Sequence, residues 1–111
     1  MAGHKLLRVQ YMFVHAVYFW LRDDLPSADR ERYVAWLPKL CALPSVRQGY
    51  YGVPAATDRP VIDRSYSYAL VLLFDDAEAE AAYQVDPEHD RFRAECGTYW
   101  TQVKIFDSVT P

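Results

Sequence analysis

The sequence predicts an α+β domain in which a four-stranded antiparallel sheet carries its helices on one face. Three observations support this fold class. Four segments are rich in β-branched and aromatic residues, and they alternate with helical segments in the order β-α-β-β-α-α-β. The helical segments are amphipathic, so each one needs a surface to pack on. Two of the strand segments are apolar at both parities, so the sheet needs cover on both faces.

The first strand is predicted over residues 12–21, MFVHAVYFWL, which end at a polar run. His15 lies in the same row as Val17, and the opposite row holds Tyr18 and Trp20. A polar side chain in an apolar row needs a partner when it is buried. If the His15 row faces the helices, His15 lies between the sheet and the helical layer.

The first helix is predicted to begin at Ser27 as its N-cap and to end before Pro44. Pro38 interrupts its apolar stripe and predicts a kink there. A weaker second strand is expected over residues 46–53, followed by a loop at 54–64. Long loops in compact domains are often functional.

The third strand is predicted over residues 66–74, YSYALVLLF. Asp75 then has the spacing of a capping residue for an alanine-rich helix over 76–85. Asp86, followed by proline, is the expected N-cap of another helix, since proline favours the first helical position. The inner face of that helix combines His89 with apolar neighbours at helical spacing.

The last strand is predicted over residues 99–107, YWTQVKIFD. The element order then matches a ferredoxin-like arrangement, whose helices cover only one face of the sheet. The other face still carries apolar side chains, and a second copy of the same sheet is the simplest cover. We therefore expect a homodimer.

Length and composition limit the functional classes. The chain has 111 residues, 51% hydrophobic residues and a net charge of −3. This acidity argues against a nucleic-acid partner, and no segment has the roughly 20 apolar residues of a membrane span. Residues 1–11 are expected to be a disordered extension before a domain at 12–108. We also expect free thiols at Cys41 and Cys96 and a cytoplasmic location.

Three segments resemble the stress-responsive A/B barrel domain (Dabb) family. They are Phe13-Val14-His15, the stretch YQVDPEH from Tyr83 to His89, and Trp100 followed by Ile105-Phe106-Asp107. The second stretch is usually Y-x-x-H-P-x-H in the family, and Asp86 replaces its first histidine here. The resemblance implies a dimeric α+β barrel. It also implies a functionally mixed family, which includes stable stress-related dimers and a plant polyketide cyclase.

The same resemblance implies two catalytic candidates. His89 occupies the position of a general-base histidine, and Tyr83 that of the tyrosine that accompanies it. A histidine with an ordinary pKa of about 6.5 is neutral and basic near pH 7. His15, Tyr68 and Phe92 are the expected ligand-binding residues. Each of these side chains also has a structural interpretation, as ordinary packing in the core.

The favoured hypothesis is a homodimer that binds a small apolar or aromatic molecule between sheet and helices. The alternatives are an inert stable dimer and a cofactor-independent cyclase with His89 as base and Tyr83 as hydrogen-bond donor. A cofactor-free monooxygenase of similar fold is a further alternative. No cofactor is expected. We considered a metal held by His15, His89 and a carboxylate, but no ligand spacing supports one, so no metal site is predicted.

Overall fold

The structure, a computed structural model, describes residues 11–111. It confirms the predicted fold class, because a four-stranded antiparallel sheet carries three helices in the expected order. The elements are β1 (Phe13–Leu21), α1 (Ser27–Cys41), β2 (Gln48–Gly52), β3 (Tyr68–Phe74), α2 (Ala77–Gln84), α3 (Pro87–Cys96) and β4 (Trp100–Val109). The extension expected at residues 1–11 lies outside the described residues, apart from Tyr11.

The strand order is β2-β3-β1-β4, so β1 lies between β3 and β4 and is hydrogen-bonded on both sides. Within this register His15 pairs with Leu72 of β3 and with Asp107 of β4. The central strand therefore fixes the position of His15 between two neighbours.

The predicted row of β1 faces the helices. His15, Val17, Phe19 and Leu21 are buried, while the residues between them are partly exposed. Helix α1 packs over this row through an apolar stripe of Tyr33, Trp36, Leu37 and Leu40. The core consequently lies between the sheet and one helical layer.

Helix α1 begins differently from the prediction. Pro26, and not Ser27, occupies the N-cap position, and no side chain caps the helix. The backbone carbonyl of Pro26 accepts from the amides of Asp29 and Arg30, which makes Ser27 the first helical residue. The helix continues through Pro38 and ends at Cys41.

Of the N-cap predictions for the other two helices, one is wrong and one is confirmed. The prediction of Asp75 as the cap of α2 is wrong by one residue, because Asp76 accepts from the amide of Ala79 at 2.8 Å. Asp75 instead pairs with Arg47 at 3.1 Å. The cap predicted for α3 is confirmed, since Asp86 accepts from the amide of Glu88 at 2.8 Å.

The segment between β2 and β3, residues 53–67, folds against the face of the sheet that the helices leave open. The ring of Tyr66 contacts that of Tyr18, with centroids 5.0 Å apart, and Trp20 Nε1 donates to Ser65 Oγ at 3.1 Å. The chain's own loop therefore covers part of the face that we expected a second copy to cover alone.

The remainder of this outer face is open. An open groove of about 470 Å³ lies beside the loop, and Phe106 on its wall is 60% exposed. The edge strand β4 is also exposed on its other side, at Val103 and Ile105. None of the helices described for residues 11–111 has the length and apolarity that crossing a bilayer requires.

Candidate functional site

A cavity of about 230 Å³ lies between the sheet and the two short helices α2 and α3. Its apolar walls come from strands β1, β3 and β4 and from helix α3. They are formed by Val17, Phe19, Leu70, Phe92, Trp100, Val103 and Ile105. Its polar groups are His15, Tyr83, Gln84, His89 and Arg93. A mostly apolar pocket with a few convergent polar groups is the usual form of a small-molecule site.

Tyr83 and His89 meet in this cavity. Their ring centroids are 4.6 Å apart and their planes are inclined by 50°. Tyr83 lies in the last turn of α2 and His89 in the first turn of α3. The cap at Asp86 and the proline after it turn the chain between the two helices, so both rings line one site.

The imidazole of His89 is buried, and Nδ1 makes no hydrogen bond to any of the described residues. Burial lowers the pKa of His89, and the positive charge of Arg93 lowers it further. The backbone carbonyl of Gln84 and the carboxylate of Asp90 offset part of this effect. His89 is therefore neutral at pH 7, which is the protonation state that a base requires.

Tyr83 is almost fully buried, and its ring contacts both histidines and Phe74. Burial is the main reason that the pKa of its phenol is raised well above the ordinary value. The hydroxyl consequently keeps its proton at neutral pH and can act only as a neutral hydrogen-bonding group.

His15 forms the wall opposite His89. Its Nδ1 lies 2.6 Å from Oδ1 of Asp107 and 3.8 Å from Oε2 of Glu80. Asp107 is the registered neighbour of His15 on β4, and Glu80 lies on α2 one turn before Tyr83. The short contact is a hydrogen bond between the imidazole and the carboxylate, and because a carboxylate only accepts, Nδ1 is the donor.

Of the three expected ligand-binding residues, His15 and Phe92 line the cavity. Tyr68 does not, and its ring packs instead against Tyr33 with centroids 5.4 Å apart. Tyr68 pairs with Phe19 of β1, and its ring lies on the side of helix α1 that carries Tyr33.

The sequence analysis missed the carboxylates beside His15 and the side chains of Gln84 and Arg93. In the sequence Asp107 stands out only as part of the family-like segment Ile105-Phe106-Asp107, and its place beside His15 follows once the register of β1 and β4 is known. Glu80 carried a weaker signal, its helical spacing from Tyr83 on α2. His15, Glu80 and Asp107 offer ligand atoms within 4.8 Å of one another, whereas the set that we considered with His89 is not assembled among the described residues.

Several solved structures share the fold. A Dabb family protein from Mesorhizobium loti with a ferredoxin-like fold is 24% identical, with a TM-score of 0.73 over 92% of this chain and 99% of that chain. A dimeric ferredoxin-like protein of unknown function from Thermobifida fusca is 21% identical, with a TM-score of 0.72 over 95% and 96%. A hydroxynitrile lyase from Passiflora edulis is 14% identical, with a TM-score of 0.69 over 90% and 94%.

Sequence comparison gives the family. A search of the curated proteins gave no match. The family model described as Stress responsive A/B Barrel Domain matches residues 13–110, which extend from the first residue of β1 to just beyond β4. The chain therefore belongs to the stress-responsive A/B barrel domain (Dabb) family.

Proposed function

We propose that the protein is a homodimer whose protomers each bind a small apolar or aromatic molecule in the cavity between the sheet and helices α2 and α3. The observation that carries this proposal is the cavity itself, in which apolar walls surround two imidazoles and a phenol. A well-packed core has few voids larger than a water molecule, so a space of about 230 Å³ supports a binding role.

The size and lining of the cavity favour a particular class of ligand. Its volume lies below the roughly 300–1,000 Å³ that is typical of sites for drug-sized molecules. Aromatic rings such as Phe92 and Trp100 offer faces on which a planar ligand can stack. We therefore expect a compact, largely uncharged ligand with one or two oxygen atoms for the histidines and Tyr83.

The surface of the protomer supports the dimer. Phe106 and its neighbours leave an apolar patch on the outer face, and monomeric proteins rarely expose large patches of this kind. Strand β4 is the last strand of the sheet described for residues 11–111, so its outer backbone edge has no strand beside it there, and a partner would protect such an edge. Structural neighbours from Thermobifida fusca and Bacteroides fragilis are themselves described as dimeric.

The thiols support a reducing, cytoplasmic location, which remains part of the proposal. Cys41 and Cys96 are both free. Burial raises the pKa of both thiols, that of Cys96 to about 11, so they stay protonated and unreactive at neutral pH.

The binding proposal is tested with neutral aromatic probes. Phenol, indole and 1-naphthol are titrated into the full chain by calorimetry. Val103 of β4 lines the cavity, so the larger ring of Val103→Phe should occupy part of the space and weaken binding at least tenfold. Val109→Phe makes the same change on the same strand, outside the residues that line the cavity, and should bind as the parent does. Failure of all three probes to bind below about 1 mM, or equal binding by the two variants, contradicts the proposal.

A cofactor-independent enzyme is the second candidate, and the buried, neutral imidazole of His89 beside Tyr83 favours it. His89 would remove a proton from carbon between two carbonyls, and Tyr83 would donate a hydrogen bond to the enolate oxygen. The cyclase activity inferred from the resemblance is of this type. A neighbour of the same fold is a hydroxynitrile lyase, so the fold is compatible with an enzyme.

The enzyme candidate is tested by deuterium exchange at the central carbon of a β-keto ester. His89→Ala should slow exchange about 10²–10⁴-fold if His89 is the base. The dimer should stay folded. If exchange matches the buffer rate in the unmodified protein but the aromatic probes bind, the protein is a binder. If neither is observed, the inert stable dimer is the remaining function.

A further inference from the structure

We propose that His15, Glu80 and Asp107 form a binding site for one divalent transition-metal cation, of which Zn²⁺ is the probe. The three residues come from β1, α2 and β4. Their ligand atoms, one from each side chain, all lie within 4.8 Å of one another. Three elements of the fold thus direct a nitrogen and two carboxylates to one point.

The geometry around the imidazole shows the convergence. Nδ1 of His15 lies 2.6 Å from Asp107 and 3.8 Å from Glu80. A neutral imidazole has a single proton, which serves one acceptor at most. If that proton is donated to Asp107, the carboxylate of Glu80 receives no hydrogen bond from His15, although the carboxylate faces the same nitrogen.

The local charge favours a cation. Among residues 11–111 no lysine or arginine forms an ion pair with Glu80 or Asp107, and both contact only the imidazole of His15 in this way. Two carboxylates give −2, or −1 with a protonated imidazole. The side chain of Glu80 is only 16% exposed, and a buried charge is costly without a counter-charge. A divalent ion would neutralise the group.

The donor set selects among cations. Imidazole and carboxylate together suit Zn²⁺ and the other divalent transition metals, whereas Mg²⁺ and Ca²⁺ prefer oxygen alone. Three protein ligands leave at least one coordination position open, as in metal sites that bind an exchangeable ligand. His15 also lines the cavity, so the open position would adjoin the cavity.

Loading the site requires small changes only. Two ligands of one ion stand about 3 Å apart for metal–ligand bonds of about 2.0–2.2 Å, so the proton between His15 and Asp107 must leave and the pair must separate slightly. The side chain of Asp107 is 45% exposed and can make this movement. Gln84 already donates to Oε2 of Glu80 at 2.7 Å, which orients that carboxylate as outer-sphere partners of metal ligands do.

This site goes beyond the proposed function and does not depend on it. The base candidate His89 is not among the ligands, and a metal could bind whether or not the cavity takes an organic molecule. If no metal binds, the titrations with aromatic probes still test whether the cavity binds an organic molecule. The two proposals therefore fail separately.

The test is calorimetric titration of Zn²⁺, with Mg²⁺ as comparison, into the full chain carrying His4→Ala. That background removes the one histidine outside the described residues. We expect one Zn²⁺ per chain and no Mg²⁺ binding. Asp107→Asn and Glu80→Gln remove charge at nearly constant shape and should each weaken Zn²⁺ binding at least tenfold. Glu78→Gln, an exposed change on the same helix, should leave it unaltered.

A second measurement needs no variant of the ligands. In nitrogen-15 spectra of the histidine rings, saturating Zn²⁺ should shift Nδ1 of His15 and leave the resonances of His89 in place. Absence of Zn²⁺ binding below about 1 mM, or binding that leaves the His15 ring unshifted, overturns the proposal. Zn²⁺ affinity that survives both carboxylate changes overturns it as well.

Discussion

The ring of His89 lies tilted over that of Tyr83 at a centroid distance of 4.6 Å, across the break between helices α2 and α3. This contact places an unprotonated imidazole next to a phenol whose proton is retained. Burial produces both states, because it disfavours the charged form of each group. The same burial makes the pair sensitive to pH and to changes in packing.

The pH dependence of stability should carry a contribution from His89. Its pKa is about 6.5 when unfolded and is lowered in the folded protein. Below pH 6.5 the unfolded chain therefore binds a proton that the folded chain does not. Stability should fall as the pH decreases from about 6.5 to the lowered pKa. Melting temperatures from pH 8 to 4.5 should show a smaller decrease over this interval for His89→Asn than for the parent. Parallel melting-temperature curves for His89→Asn and the parent would contradict a contribution from His89.

Two variants of Tyr83 should distinguish the packing of its ring from the hydrogen bonding of its hydroxyl. Tyr83→Ala removes a buried ring from contact with Phe74 and both histidines and should lower the free energy of unfolding by about 3–5 kcal/mol. Tyr83→Phe keeps the ring and should cost much less. Chemical denaturation measures both. If His89 catalyses deuterium exchange, Tyr83→Phe should slow that exchange while the fold persists. An unchanged rate would exclude the phenol from the reaction.

The outer face should control assembly. Phe106→Glu replaces a ring that is 60% exposed beside the loop with a charged side chain, and it should convert the proposed dimer to a folded monomer. Val85→Glu is the matched control, since Val85 is 74% exposed and lies between α2 and α3 rather than on a strand of the sheet. Sedimentation velocity distinguishes the two. A dimeric Phe106→Glu variant, or a monomeric parent, would refute this interface.

Helix α3 should depend on its cap. Asp86→Ala removes the acceptor of the Glu88 amide and should destabilise the protein by about 1 kcal/mol. Asp86→Ser supplies another good capping oxygen and should recover most of that loss. Thermal unfolding measures the difference. Because the cap precedes the turn that carries His89, we also expect weaker probe binding by Asp86→Ala; equal stability of both variants would contradict the capping role.

The fold was largely predictable from local patterns. The parity of β1, including His15 with Val17, agrees with the structure because a buried strand face follows a period of two. Asp86 followed by Pro87 is a strong local signal for the start of a helix, and it is confirmed. Spacing could not distinguish Asp75 from Asp76 as the cap of α2, since the two are adjacent and either could cap the helix. In the structure Asp76 is the cap, and Asp75 pairs with Arg47, which is distant in sequence.

The candidate site was less predictable because it depends on contacts between distant segments. His89 and Phe92 share a helix face, which spacing reveals. The partners of His15 come from α2 and β4, and their convergence depends on sheet register and on the packing of α2. Tyr68 packs against Tyr33 of helix α1, another contact between distant segments that local sequence patterns do not reveal.

The polar groups of the cavity are held by elements that differ in how firmly they are bonded into the fold. His15 is attached to a strand whose backbone is hydrogen-bonded on both sides, and such strands exchange their amide protons slowly. Tyr83 and His89 are attached to helices of 8 and 10 residues, which hold to the sheet mainly by their side chains. If the cavity binds a ligand as proposed, we therefore expect helices α2 and α3 to adjust to it by local opening, while the strand that carries His15 stays in place.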